Sequence, residues 1–357
     1  MDRTLNWLKE ITDVAGPSGF EGRVKELLHN RLAGTAEVST DRLGSIIFKR
    51  TGTAGGPRIM LAGHMDEIGF MVKTITKEGY LKFTCLGGWW EQVMLGQRVT
   101  VLAAKGDIPG VIGSKPPHIL SPEERKKMVE KKEMYIDIGA ADEKEAREFF
   151  GVRPGDAVVP YSEFTVMANA KLLMAKAWDD RVGCAVFADV LEQLKGVEHP
   201  NEVYGVGTVQ EEVGLRGAKT SAAVINPDVA FAVDVCIAGD TPGVQEDQAA
   251  SKLGKGVAVA VFDGSMVPHR ALRDFVIATA EEEKIPFQLD FIEGGGTDAG
   301  RIHLHAQGVP SLFIGIPSRY IHSHNSVIHR DDYEAAVRLM VAVIRRLDRP
   351  AFEGLIK

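Results

Sequence analysis

Apolar residues recur at every third position from Leu5 to Val14, which is typical of an amphipathic helix. A second helix is predicted over residues 21–32. Short uninterrupted apolar runs follow at residues 45–48 and 59–62. Strands that are covered on both faces are apolar throughout, so these runs predict strands of a buried sheet.

The pattern changes between residues 71 and 165, where short alternating segments are separated by turns. Residues 97–101 and 111–112 flank the sequence GDIPG at residues 106–110, which predicts a hairpin with its turn at GDIPG. Residues 135–138 alternate as another strand. We therefore expect an inserted β-rich domain at residues 71–165.

One charged helix is predicted inside this insert. Ser121, Pro122 and Glu123 place a capping residue, a proline at the first helical position and an acid in the first turn. The basic residues at 125–127 have glutamate neighbours, which favours a solvated face over a nucleic-acid surface.

Strands and helices alternate again from residue 169 onwards. Predicted strands cover residues 203–209, 229–233, 257–262 and 311–316. Predicted helices cover residues 179–194, residues 272–283 and a final amphipathic segment capped by Asp331 or Asp332. This alternation predicts an α/β fold, with a mixed central sheet covered by helices on both faces and formed by residues 1–70 and 166–357.

Composition narrows the class of protein. The 357 residues carry 45% hydrophobic and 25% charged side chains, which suits a globular protein of about two domains. The net charge of −7 argues against a nucleic-acid partner, and no apolar run approaches the roughly 18 residues that span a bilayer. Three scattered cysteines and the absence of an apolar leader predict a cytoplasmic protein.

Side chains that can bind metal directly follow the predicted strands. His64 and Asp66 are two residues apart, so extended backbone points both to one side. Glu211 and Glu212 follow another strand, and Asp234 follows a third. Because sites in open α/β sheets lie at the carboxyl ends of strands, we expect these groups to meet.

Two further segments complete the set. His322 follows the last predicted strand, with His324 as a competing candidate. Asp179 and Asp180 open a predicted helix, where one of them could simply act as a cap. The functional interpretation gives one carboxylate to a metal and pairs the other with Arg181. Such a set suits two divalent metals with a bridging carboxylate and a free base, and nitrogen and oxygen ligands suit Zn or Co, with Mn possible.

The order of these motifs and their residue identities resemble those of the tetrahedral (TET-type) dinuclear-metal aminopeptidases. That family includes deblocking, glutamyl and leucyl aminopeptidases, and some of its members are labelled endoglucanase. The resemblance covers nearly the whole chain through the motifs GPSG (16–19), GHMDEIG (63–69), DDR (179–181), QEEVG (210–214), GGGTDAG (294–300) and RYIHS (319–323).

The resemblance implies a ligand set for two metal ions and a zinc-aminopeptidase-like fold. His64 and Asp234 would hold one ion, Glu212 and His322 the other, and Asp179 would bridge them.

The resemblance also implies catalytic and substrate-binding roles. Glu211 would be the general base for a metal-bridging hydroxide, and Asp66 would orient the neighbouring His64. Gly296, Thr297 and Asp298 would line the substrate pocket. The implied enzyme is a hydrolase that removes N-terminal amino acids from peptides with a free N-terminus.

The substrate and the assembly are less sharply defined. We expect a preference for neutral aliphatic N-terminal residues such as Leu; the alternatives are acidic residues or a small-molecule amide. A glycosidase would leave the histidines unexplained, and a non-catalytic scaffold would leave the complete site unexplained. The resemblance further implies that the β-rich insert is a small barrel or PDZ-like dimerisation domain. It also implies that dimers assemble into a homododecamer in the form of a hollow tetrahedron.

Overall fold

A computed structural model describes residues 2–53 and 55–357. Within them, eleven strands form one mixed sheet and six more close an antiparallel barrel. The helices are α1 (Arg3–Asp13), α2 (Gly22–Arg31), α3 (Trp178–Gln193), α4 (Arg216–Ile225), α5 (Arg270–Glu282), α6 (Ala299–Ile302), α7 (Arg330–Arg346) and α8 (Arg349–Leu355). No helix of the described residues is long and apolar enough to cross a bilayer.

The strands of the large sheet come from both ends of the chain. They are β1 (Glu37–Thr40), β2 (Ile46–Thr51), β3 (Arg58–His64), β10 (Thr165–Val166), β11 (Leu172–Ala175), β12 (Glu202–Thr208), β13 (Val229–Ile237), β14 (Val257–Asp263), β15 (Phe287–Ile292), β16 (Ser311–Arg319) and β17 (Ser326–His329). Their order is β1-β2-β12-β3-β13-β16-β17-β11-β10, with β14 pairing to both β16 and β15.

The centre of this sheet positions the site. Strands β12, β3, β13 and β16 are parallel neighbours, so their carboxyl ends lie along one edge. In the register of β12 and β3, Thr208 lies opposite His64. In that of β13 and β16, Asp234 lies opposite Gly315. The candidate residues at these strand ends are therefore close in space although they are far apart in sequence.

Helices cover both faces, as the uninterrupted apolar runs predict. In β3, Ile59 and Leu61 pack into one core with the buried face of α3, whereas Met60 and Ala62 pack into a second core with α4. Because alternate residues of a strand point to opposite faces, a strand buried on both sides is apolar throughout. The predicted α/β class is confirmed.

The inserted β-rich unit is a closed barrel of β4 (Gly69–Ile75), β5 (Leu81–Leu86), β6 (Arg98–Ala103), β7 (Gly106–Gly113), β8 (Tyr135–Asp137) and β9 (Ala157–Pro160), in the order β4-β5-β8-β7-β6-β9. It has a core of its own, with Phe70, Leu81 and Ile136 among its buried residues. The domain boundaries at residues 71 and 165 stay a proposal.

Two local predictions in the barrel are wrong. The hairpin of β6 and β7 forms, but its turn is at residues 104–105, and GDIPG lies inside β7. The charged helix does not form. Ser121 and Glu124 make the reciprocal capping hydrogen bonds, yet only a 3₁₀ turn, Glu124–Lys126, follows. Residues 127–133 beyond it include just two apolar side chains, Met128 and Val129, which are too few for the broad apolar face whose packing stabilises most helices in proteins.

The predicted cap of the last helix is also wrong. The N-cap of α7 is His329, whose Nδ1 accepts a hydrogen bond from the backbone N–H of Asp331 at 3.2 Å. Asp332 is buried in the first turn and accepts hydrogen bonds from the backbone N–H groups of Gly254 and Gly256, each at 2.7 Å. Its carboxylate therefore anchors a loop that the local sequence does not reveal.

Candidate metal centre

The structure brings the predicted ligands together at the carboxyl edge of the sheet. His64 ends β3 and Asp234 lies within β13, so both are held by strand hydrogen bonds. Glu212 lies in the turn that follows β12, and His322 in the turn that follows β16. Asp179 lies at the start of α3, where the peptide bond between Asp179 and Asp180 is cis.

The carboxylate of Asp179 lies between the two histidines. Its Oδ1 is 3.0 Å from Nε2 of His64, and its Oδ2 is 3.2 Å from Nε2 of His322. One oxygen thus faces each imidazole, which is the arrangement a bridging carboxylate needs.

The remaining ligand atoms divide into the same two groups. Asp234 Oδ2 is 3.8 Å from His64 Nε2, and Glu212 Oε2 is 3.4 Å from His322 Nε2. Ligand atoms around a tetrahedral ion with bonds of about 2.0–2.1 Å are roughly 3.3 Å apart, so these spacings are close to those of a metal site. Glu212 Oε1 is buried and has no hydrogen-bond partner. The donors present therefore fit two divalent cations.

Asp180 also lies near His64 and Asp234, within reach of a shared cation. Its two oxygens are already used, however, because Oδ2 accepts from the backbone N–H of His64 at 3.0 Å and Oδ1 accepts from that of Gly183 at 2.9 Å. The expected pairing of the second aspartate with Arg181 is wrong, since that guanidinium binds Glu67 and backbone carbonyl groups instead.

Glu211 faces the centre from the side of His64. Its Oε2 lies 3.8 Å from His64 Nε2. Burial, together with the charges of Asp234 and Asp298, raises the pKa of Glu211 well above its usual value, against the opposing effect of His64. A raised pKa suits a carboxyl group that accepts a proton and later returns it.

Adjacent glutamates reach one site because the backbone turns sharply before them. Gln210 has a φ of 56°, in the left-handed region. Asp66 holds the turn through Oδ1, which accepts from the N–H of Glu211 at 3.0 Å, and Oδ2, which accepts from that of Glu212 at 3.2 Å. Ser18 donates to the same Oδ2 at 2.6 Å.

The predicted orientation of His64 by Asp66 takes a different form from the one expected. His64 Nδ1 is 2.9 Å from the backbone carbonyl oxygen of Asp66 but 3.6 Å from its carboxylate. The carbonyl group is therefore the hydrogen-bond partner of the ring, while the carboxylate is committed to the turn that carries the two glutamates.

A buried salt-bridge cluster, formed by Glu67, Lys176 and Arg181, lies beside the centre and was not predicted. Lys176 Nζ donates to both oxygens of Glu67, at 2.7 and 2.8 Å, and Arg181 Nη2 donates to Oε1 at 3.2 Å. Arg181 also donates to the carbonyl groups of Ile11 and Met65. It thus ties the end of α1 to the segment that carries His64. The sequence signal for this cluster was limited to the position of its three charged residues within or near the GHMDEIG and DDR motifs.

A cavity of about 750 Å³, the catalytic cavity, opens over the centre. Its apolar wall includes Ile237, Val244 and Ile292, and Gly296 and Thr297 line it as the motif suggests. None of its described lining residues is lysine or arginine.

Asp298 lies behind this cavity rather than in its lining. Its Oδ2 accepts from Thr208 Oγ1 at 2.5 Å, and its Oδ1 is buried without a partner. Burial raises the pKa of Asp298 to about 6, opposed by His64 and the Thr208 hydrogen bond.

The competing histidine does not join the centre. His324 is buried against the edge of the Trp89 ring, and neither of its ring nitrogens has a hydrogen-bond partner. Burial lowers the pKa of His324 to about 4.

Comparisons with known proteins identify the family. Residues 44–339 match the M42 glutamyl aminopeptidase family. The glutamyl aminopeptidase of Lactococcus lactis is 38% identical over 96% of both chains, and the lysyl aminopeptidase of Pyrococcus furiosus is 31% identical over 96% of this chain and 98% of that one.

Solved structures agree with this match. A TET aminopeptidase from the marine sediment archaeon Thaumarchaeota archaeon SCGC AB-539-E09 is 50% identical, with a TM-score of 0.97 over 99% of both chains. The Pyrococcus horikoshii TET1 peptidase, which can assemble into a tetrahedron or a large octahedral shell, is 34% identical, with a TM-score of 0.86 over 96% of this chain and all of that one. The family predicted from the motifs is confirmed: this chain belongs to the M42 glutamyl aminopeptidase family and is a metal-dependent exopeptidase.

Proposed function

We propose that this enzyme uses two divalent cations per chain to remove neutral aliphatic residues such as Leu from peptides with a free N-terminus. His64 and Asp234 would hold one cation, Glu212 and His322 the other, and Asp179 would bridge them. Zn or Co suits these nitrogen and oxygen donors best, with Mn possible.

The observation that carries the proposal is the position of Asp179. Each of its oxygens faces a different imidazole, at 3.0 and 3.2 Å. A carboxylate that served a single ion would need only one of these contacts. Cations in this place would supply a water of lowered pKa and polarise the substrate carbonyl group.

Glu211 would move the proton. Its carboxylate lines the catalytic cavity and its pKa is raised, so it can take a proton from the attacking water and return it to the leaving amine. Asp66 would act as a positioning residue, because its carboxylate holds the backbone N–H of Glu211.

The lining of the catalytic cavity favours a neutral first residue. Ile237, Val244 and Ile292 offer apolar surface, and the described lining residues include no lysine or arginine to pair with an acidic side chain. An acidic preference is the second candidate because the Lactococcus lactis relative is a glutamyl aminopeptidase. Hydrolysis of a small-molecule amide at the same centre is a third.

We also propose that the chain forms a homododecamer built from dimers that associate through the barrel. The Pyrococcus horikoshii TET1 relative, which can assemble into a tetrahedron, supports this.

The test uses metal-free protein titrated with Co²⁺, Zn²⁺ or Mn²⁺ and assayed with leucyl, glutamyl and lysyl anilides and N-acetyl-leucine. We expect activity to reach its maximum near two ions per chain, with the leucyl substrate fastest. A faster glutamyl substrate would select the second candidate. Cleavage of the N-acetyl compound alone would select the deacylase. Binding of two ions without any turnover would remove the proposed function.

A further inference from the structure

A second cavity, of about 710 Å³, lies against His322 and adjoins the catalytic cavity. Gly88, Tyr320, Ile321 and His322 line both cavities. The two therefore adjoin along the segment that carries a candidate metal ligand. We call the second one the aromatic cavity, since Trp89, Trp90 and Tyr320 are among its lining residues.

Its two walls come from different parts of the fold, and both are held in place. On the barrel side, Trp89 donates from Nε1 to the carbonyl oxygen of Gly69 at 3.0 Å and stacks on Phe70 with ring centroids 4.6 Å apart. On the side of the large sheet, the wall is the turn after β16, where Asn325 Oδ1 accepts from Ser162 Oγ at 2.6 Å. The space between them is therefore bounded on both sides by side chains that hydrogen bonds and stacking hold in place.

The chemistry of the aromatic cavity differs from that of the metal centre. Trp90 is 57% exposed and Tyr320 is 58% exposed, although large aromatic side chains are usually buried. None of the described lining residues is Asp, Glu, Lys or Arg. Below the surface, both ring nitrogens of His324 lack a hydrogen-bond partner. This surface suits an uncharged side chain with apolar or aromatic area.

We propose that the aromatic cavity is the subsite for the part of the peptide that follows the cleaved bond, with a preference for an aromatic or large apolar second residue. The inference rests on the aminopeptidase function proposed above. The first side chain occupies the apolar wall near Ile237 and Ile292, so the rest of the peptide must leave the centre in another direction. The aromatic cavity begins at His322 and receives it.

The test compares substrates that do and do not reach this cavity. Leucinamide has no second residue, whereas Leu-Trp-Ala and Leu-Glu-Ala differ in theirs. The readout is kcat/KM for each substrate with the metal-loaded wild type, Trp90→Ala and the control Phe149→Ala. Phe149 is 71% exposed on the barrel and lies outside both cavities. Thermal midpoints of all three proteins check that they are folded.

We expect the wild type to favour Leu-Trp-Ala over Leu-Glu-Ala. In Trp90→Ala, the ratio of kcat/KM for Leu-Trp-Ala to that for leucinamide should fall about tenfold, because the aromatic contact is lost. Phe149→Ala should keep the wild-type ratio. A ratio that does not change in Trp90→Ala would overturn the subsite while leaving the aminopeptidase function standing.

Two other outcomes would also overturn it. If Trp90→Ala changes the preference among leucinamide, glutamyl amide and lysyl amide, the aromatic cavity holds the first residue instead. If the metal-loaded wild type cleaves none of these compounds, the proposed function fails and the subsite fails with it.

Discussion

The salt-bridge cluster and the metal centre are neighbouring groups of buried charges that are balanced in different ways. In the cluster, Glu67 contacts both Lys176 and Arg181, so the protein itself supplies the compensating cations. In the metal centre, burial and the nearby charge of Asp179 raise the pKa of Glu212 well above its usual value, and its Oε1 has no partner. The first group is complete within the chain, whereas the carboxylates of the second have only the imidazoles of His64 and His322 beside them, which leaves a place for cations from outside.

Removal of the Glu67 carboxylate from the cluster should have the greatest effect on stability. Glu67→Gln should lower the free energy of unfolding of metal-free protein by about 3–5 kcal/mol, because Lys176 and Arg181 lose their buried counter-charge. Urea unfolding measures this. Glu143→Gln removes an exposed partner of Arg147 and should cost less than about 1 kcal/mol. Equal small losses would show that the cluster is not a buried ion pair in solution.

Within the metal centre, the two adjacent glutamates should behave differently. Glu211→Gln should lower kcat by about 10²- to 10⁴-fold, since proton transfer is lost, yet retain both metal ions. Steady-state kinetics and elemental analysis of the same preparation check this. Full activity would remove Glu211 from the reaction.

Glu212→Gln should not lower the free energy of unfolding, in contrast to Glu67→Gln. In metal-free protein it removes a buried carboxylate whose pKa is raised and whose neighbour is the His322 imidazole rather than a lysine or arginine, so the free energy of unfolding should stay the same or rise. Metal affinity at the His322 position should fall, which calorimetric titration measures. Destabilisation as large as that of Glu67→Gln would mean that both groups are balanced in the same way.

The smallest expected effect is on the dependence of stability on pH. Burial raises the pKa of both Glu212 and Asp234 in the folded protein. In metal-free protein their contribution to stability is fully present below about pH 4 and is lost as the pH rises through the folded values. Metal binds the deprotonated groups, so the gain in thermal midpoint on adding metal should be larger at about pH 8 than at about pH 5.5. A gain that falls with pH would contradict this.

Sequence patterns predicted the features whose positions are set by the strands, namely the ligands at the strand ends and the β-rich insert. Because parallel strands end at one edge, His64 and Asp234 could be assigned to the same place from their positions after apolar runs. The barrel was predicted from the change to short alternating apolar segments after residue 71. Its hairpin turn was predicted in the wrong place, because Pro109 and the flanking glycines are typical of a turn but lie within β7.

Contacts between segments that are far apart in the chain could not be predicted from the sequence. The binding of Glu67 to Lys176 joins residues that are 109 positions apart, and nothing local to either indicates the other. The same holds for Asp332, which anchors Gly254 and Gly256 instead of capping its own helix. The local motif near Ser121 did form its capping hydrogen bonds, yet without tertiary packing no helix followed.

The number of metal ions that each chain binds tests the bridged centre. Elemental analysis after dialysis against Co²⁺ or Zn²⁺ should find two ions per chain in the wild type and in the control Asp331→Asn, whose carboxylate is exposed and bound to Lys171. Asp179→Ala should lose both ions, because its carboxylate faces both histidines. Two ions retained in Asp179→Ala, or a single ion in the wild type, would contradict the bridged centre.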